Sequence, residues 1–172
     1  MVSDRAWVGS SCRVCLNCFN GYLISMKVFG HPLHMMMIHF PTALLPMDFL
    51  LSFFAYYNKD SSFLPAAFYC LAGGVLIGGL AIITGLIDLG LIPKDNKPAL
   101  GTALIHGFMN AMIVLFFGIF AYRAWQLYPQ MAMPQMSTLI IKAILLIVLF
   151  IGNYLGGKLI LQHHVGVKNI GG

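Results

Sequence analysis

The sequence predicts an all-α integral membrane protein built as a four-helix antiparallel bundle, and three observations lead there. Of its 172 residues 59% are hydrophobic and only 9% are charged, whereas a soluble domain keeps about 25% charged residues to wet its surface. Four apolar stretches, 33–57, 63–92, 99–127 and 137–162, are each long enough to cross a bilayer, which takes about 20 helical residues. The connections NKDSS, PKDNKP and YPQMAMPQMS are short, so successive helices must reverse direction. A membrane barrel is excluded, because its strands would be about half this length.

Residues 1–25 read as a leader or disordered N-terminal segment, with Met26-Lys27 as an ordinary start. Cys12, Cys15 and Cys18 form a CxxCxxC run there. Three thiolates are one short of a closed tetrahedral metal set, and no apolar core long enough for a signal peptide precedes the first span. Residues 26–172 read as a single four-span membrane domain.

Span one opens with HPLHMMMIHF. Pro32 suits a first helical turn, where its missing N–H has no partner to lose, so the helix is expected to start at His31 or Pro32. Pro41 and Pro46 should kink it further in. Span two carries AGGVLIGGLAIITG, in which Gly74 and Gly78 stand in a GxxxG arrangement that permits close helix approach. Span three contains GTALIHGFMN, placing Asn110 one turn beyond His106 on the same face. Span four ends in GGKLILQHHVGV. Tyr56, Tyr57, Trp125 and Tyr128 fall at the far ends, where an interfacial aromatic belt belongs.

With four spans, the N-terminus, the 93–98 loop and the C-terminus share one side of the membrane. That side carries Arg5, Arg13, Lys27, Lys94, Lys97, Lys158 and Lys168, against Lys59, Arg123 and Lys142 on the other. The positive-inside rule then places both termini in the cytoplasm and the chain in the inner membrane. The net charge of +5 is accounted for by juxtamembrane lysines facing anionic lipid and calls for no nucleic acid.

On this map all six histidines gather at one end of the bundle. His31, His34 and His39 start span one, His106 lies near the start of span three, and His163 and His164 close span four, with Asp88 near the end of span two. A rise of 1.5 Å per residue puts His39 about 8 Å deeper than His34. His31, His163 and His164 fit interfacial positions, whereas His39 and His106 lie in the apolar zone, where ionisable groups default to functional hypotheses. Asp48 sits deeper still, toward the opposite side, as a partner for a Tyr or Asn or as part of a proton path. Met35, Met36, Met37 and the MxMxxM run Met131, Met133, Met136 are soft donors suited to Cu(I), or ordinary apolar filler.

Taken in order, HPLHMMMIHFPTALL, GLIDLGLIP, HGFMN and GGKLILQHHVGV resemble a bacterial family of predicted four-helix membrane proteins, domain of unknown function 2231. The resemblance covers about 28–167. Its members often have proline where this chain has Met35 and a single histidine where it has His163 and His164. Some members occur fused to or beside Rieske-type or cytochrome domains, which implies a redox setting.

Three functions follow as expectations. In the first, a b-type haem is held by His39 and His106 on diagonal helices, with His34 beside them, Asp88 and Asn110 orienting the imidazoles, and Lys94, Lys97 and Lys158 near the propionates. Because every histidine is on one side, such a haem needs a Rieske-type, cytochrome or quinone partner to pass its electron on. In the second, His34, His39, His106 and His163 or His164 bind zinc or copper in a metal carrier or sensor. In the third, the polar cluster only locks a structural subunit of a membrane complex. All three describe an electron-transfer, binding or assembly protein more than a stand-alone enzyme.

Overall fold

The computed structural model describes residues 27–28 and 31–163; the leader, the cysteine run and His164 lie outside them. A two-residue antiparallel pairing, β1 Lys27–Val28 with β2 His31–Pro32, leads into the bundle. Helix α1 Leu33–Met37 follows directly, then α2 His39–Asn58, a 3-10 turn Ser61–Phe63, α3 Leu64–Gly90, α4 Lys97–Leu127 and α5 Met136–His163. The first span is thus two helical pieces, α1 and α2, separated at Ile38. Four helical segments, Leu33–Asn58, Ser61–Gly90, Lys97–Leu127 and Met136–Gln162, are long and apolar enough to cross a membrane. The protein is an all-helical bundle, as the apolar lengths predict.

The helix ends follow from local chemistry. Lys59 adopts the left-handed conformation (φ 57°) that closes α2 and returns its N–H to Ala55 O. Asp60 then accepts from the Ser62 N–H at 2.9 Å, and Pro65 sits in the first turn of α3, where it removes no hydrogen bond. Asn96 caps α4 by accepting from the Ala99 N–H, one residue beyond Pro98. The expected start at His31 or Pro32 is displaced to Leu33, because the strand pairing holds those two residues extended. Pro46 lies inside α2 while the break falls before Pro41, at Ile38.

Neighbouring spans pack in sequence order, and the contact between spans one and four is the thinnest among adjacent pairs. Leu45, Leu71, Ile113, Phe117, Leu146 and Leu149 form the central core. A smaller cluster of Ile92, Ala99, Ala103 and Leu159 closes the end that carries His34 and His106. The outer surface is a belt of exposed Leu, Ile and Phe, Leu76 (70%) and Phe108 (67%) among them, as a lipid solvent requires. The GxxxG pair works by close approach: a Cβ on Gly74 would stand 2.7 Å from Leu45 Cδ2, and one on Gly78 3.0 Å from Val114 Cγ2. At the end away from the histidines, Tyr69 and Tyr128 share a 2.9 Å hydrogen bond and Tyr57 and Trp125 are exposed, which is the interfacial belt.

Candidate functional site, a pair of anchored imidazoles

His34 enters the bundle from the first turn of α1 and packs on α3. Its Nδ1 lies 2.8 Å from Ala81 O, with Thr84 Oγ1 at 3.5 Å. A carbonyl oxygen can only accept, so Nδ1 carries the proton and, in the neutral ring, Nε2 keeps an open lone pair. His106, nine residues into α4, repeats the arrangement on α5: its Nδ1 lies 2.8 Å from Gly152 O. Asn110 Nδ2 donates to His106 O at 2.8 Å and also stands 3.2 Å from His106 Nδ1. The second contact joins two donors, so the hydrogen bond to Gly152 sets the tautomer and Asn110 only walls the ring.

Both rings rest on glycine for the same reason. In a helix the Cα–Cβ bond tilts toward the N-terminus, so the Cβ of residue i+4 covers the carbonyl of residue i. A ring that reaches the Ala81 carbonyl must lie over Gly85, and one that reaches Gly152 must lie over Gly156. A Cβ at Gly85 would come within 2.9 Å of His34 Cε1, and one at Gly156 within 2.8 Å of His106 Cε1. Donor and acceptor are 47 residues apart in the first hairpin and 46 in the second. The two hairpins therefore present equivalent histidines from equivalent positions, and these meet: the ring centroids are 6.4 Å apart and the planes stand at 86°.

The other sequence-predicted residues fall elsewhere. His39 is exposed and lines an open cleft of ≈ 300 Å³ with Ile38, Thr42, Ala43 and Asn153. It follows His34 by five residues, about 140° around a helix of 3.6 residues per turn, so the two cannot share a face. The structure turns His34, not His39, toward His106. Asp88 is half-buried in the last turn of α3, and Asn110 is half-buried against Gly152. His163 ends α5 and His31 lies in the strand pairing. Among the described residues no three His, Cys, Asp or Glu side chains converge on one point, so the histidine set drawn up for a metal is not assembled there.

Sequence reasoning missed Thr84, Gly85, Gly152 and Gly156 as the seat of the two imidazoles. A small residue four positions after the acceptor carbonyl was the available signal. It also placed Lys142 among the charges of the opposite side. Lys142 instead lies in the core, its Nζ 2.8 Å from both oxygens of Asp48 and 3.2 Å from Ser52 Oγ, with side chains only 6% and 1% exposed for the ion pair.

The model of one protein family, described as a predicted membrane protein (DUF2231), matches residues 30–169. No curated protein and no solved structure matches the chain.

Proposed function

The chain belongs to the DUF2231 family of predicted membrane proteins, and from that premise we propose that it is a membrane electron-transfer protein in which His34 and His106 would hold one b-type haem. The observation that carries this reading is the spacing of the anchored rings. Two imidazoles bound to one metal stand about 2 Å from it through each nitrogen. Adding about 1 Å from nitrogen to ring centre on each side gives centroids about 6 Å apart, against the 6.4 Å between His34 and His106. Each ring is held through Nδ1 to a backbone carbonyl, the outer hydrogen bond that fixes a metal-bound imidazole and raises its basicity. Each therefore offers Nε2.

The ligand count favours haem over zinc. A zinc site needs at least three protein ligands, whereas a haem would need no more than the two histidines from the protein. When bound, the haem would supply one-electron chemistry. The protein would supply the ligand field, the low dielectric and an approach through the bilayer for a quinone, cytochrome or Rieske-type partner. With Lys142 in the core, the basic residues divide seven to two, which supports the histidine end and both termini facing the cytoplasm of an inner membrane.

The test is a visible spectrum of the detergent-purified protein, oxidised and dithionite-reduced, from haem-replete cells. A Soret band and a sharp α-band are expected, lost in His34→Ala and in His106→Ala and retained in His39→Ala. A colourless wild type, or bands that survive both of the first two substitutions, would overturn the reading. Stoichiometric copper in a colourless protein would point to the soft-metal alternative.

A further inference from the structure

The geometry points to a second site: the cleft between spans one and four binds a quinone headgroup, which His39 and Asn153 hold by hydrogen bonds to its carbonyl oxygens. The cleft has a volume of ≈ 300 Å³ and is lined by Ile38, His39, Thr42 and Ala43 from span one and Asn153 from span four. It opens where the bundle is most thinly packed, at the seam of its first and last spans. That volume is at the small end for ligand pockets. It admits a group about the size of one substituted ring and leaves any tail in the lipid.

The polar groups define the occupant. Asn153 Nδ2 donates to Thr42 Oγ1 at 3.1 Å, and Thr42 donates to Ile38 O at 2.7 Å. Among the described residues this engages one of the amide's two N–H groups and leaves the other for a ligand. His39 is exposed, and no described residue hydrogen-bonds its ring. It begins α2, six residues inside the Leu33 end of the span, which is about 9 Å along the helix and just within the hydrocarbon. A polar ring there has little water to satisfy it. The cleft thus offers hydrogen-bond donors inside the apolar length of the span. Its ligand must be small, lipid-soluble and rich in acceptor oxygens. The headgroup of a quinone meets all three conditions. The ester carbonyls of a phospholipid share the acceptor chemistry without the flat ring, so the experiment must separate the two.

This site does not depend on the haem reading. Its test is a binding titration of decylubiquinone into the full chain in phosphatidylethanolamine–phosphatidylglycerol nanodiscs, followed by site mapping with a photoreactive azidoquinone. Saturable binding is expected, with the label on peptides containing residues 38–43 or 153. Removing one donor in His39→Leu or Asn153→Leu should weaken binding about three- to tenfold, the worth of one net hydrogen bond. Ala43→Leu should abolish it by filling the cleft while leaving the thermal transition unchanged. His34→Ala, which removes the proposed haem ligand, should bind quinone as wild type does. Quinone loss in His34→Ala alone would overturn the cleft in favour of the histidine pair. Non-saturable uptake, a label on other peptides, or affinity unmoved in Asn153→Leu and Ala43→Leu would also sink the proposal. So would displacement of the quinone by added phosphatidylglycerol at equal mole fraction, since the cleft would then be a lipid seat.

Discussion

Two polar clusters are built into this bundle, and they are satisfied to different degrees. In the core, Lys142 Nζ donates to Asp48 Oδ1 and to Ser52 Oγ, and stands 2.8 Å from Asp48 Oδ2 as an ion pair. Among the described residues Asp48 Oδ2 is buried without a hydrogen-bond partner, and its charge is met by the ammonium of the ion pair. At the histidine end, His34 and His106 each commit one ring nitrogen to a backbone carbonyl and turn toward one another, half-buried, at 6.4 Å. Charge density alone would rank the ion pair as the functional centre. The partners reverse that order: a buried charge that already has its counter-charge specifies the packing of spans one and four, whereas ring nitrogens left open are what a site requires.

The sharpest way to break this comparison is to unpair the core charges. Lys142→Met leaves the Asp48 carboxylate buried without its counter-charge, which typically costs about 3–5 kcal/mol. Thermal unfolding in detergent should show this loss, and Asp48→Leu added to Lys142→Met should recover most of it, because an apolar pair of similar volume replaces the charges. Visible bands, if haem is bound, should persist in the double variant. Should the single variant unfold like wild type, or the double variant lose the bands, the core pair would have to be counted as functional.

The next effect is smaller and belongs to the open cluster. Gly85→Ala and Gly156→Ala would each place a Cβ under 3 Å from an imidazole carbon, so the ring must leave its carbonyl. Overpacking of this kind costs about 1–3 kcal/mol, and the ligand pair should be lost with it. Gly79 has nothing within 4 Å of an added Cβ. Gly79→Ala should therefore be neutral, or stabilising by up to about 1 kcal/mol through helix propensity. Equal melting shifts across the three variants would mean that the glycines serve only helix propensity and do not seat the rings.

These residues also mark how far the sequence could be read. Length and apolar composition determine four spans because the bilayer fixes both, and the predicted ranges differ from the helices by a few residues at their ends. Depth along a helix is legible too, which is how His106 was singled out. Azimuth is less so. Counting depth along one continuous helix favoured His39, and the five-residue offset from His34 showed only that one of the two could face inward. Which one does depends on the seating of α1 against Thr84 and Gly85 of another span. The Asp48–Lys142 pair spans 94 residues, and a single sequence holds no signal for a contact at that range. Lys142 was therefore counted only among the basic residues of the side opposite the termini.

Asp60 sharpens the contrast at its weakest end, because it is the same residue type as Asp48 placed outside the spans. It accepts from the Ser62 N–H at 2.9 Å, and that backbone hydrogen bond holds its carboxyl below the ordinary carboxylate range. A carboxyl depressed in the folded state adds stability above its unfolded pKa and loses it as pH falls through the lower folded value. The cap should thus persist through the neutral range and open only in acid, below the usual carboxylate midpoint. In a micelle sample, the Ser62 amide proton should titrate with that depressed midpoint, and Asp60→Asn should abolish the titration while keeping an acceptor in place. Because Asp60 is fully exposed, the global melting temperature should barely move. A Ser62 midpoint at or above the ordinary range would show that the turn is not capped. A large melting shift in Asp60→Asn would mean that polar groups outside the membrane matter to this bundle as much as the pair buried within it.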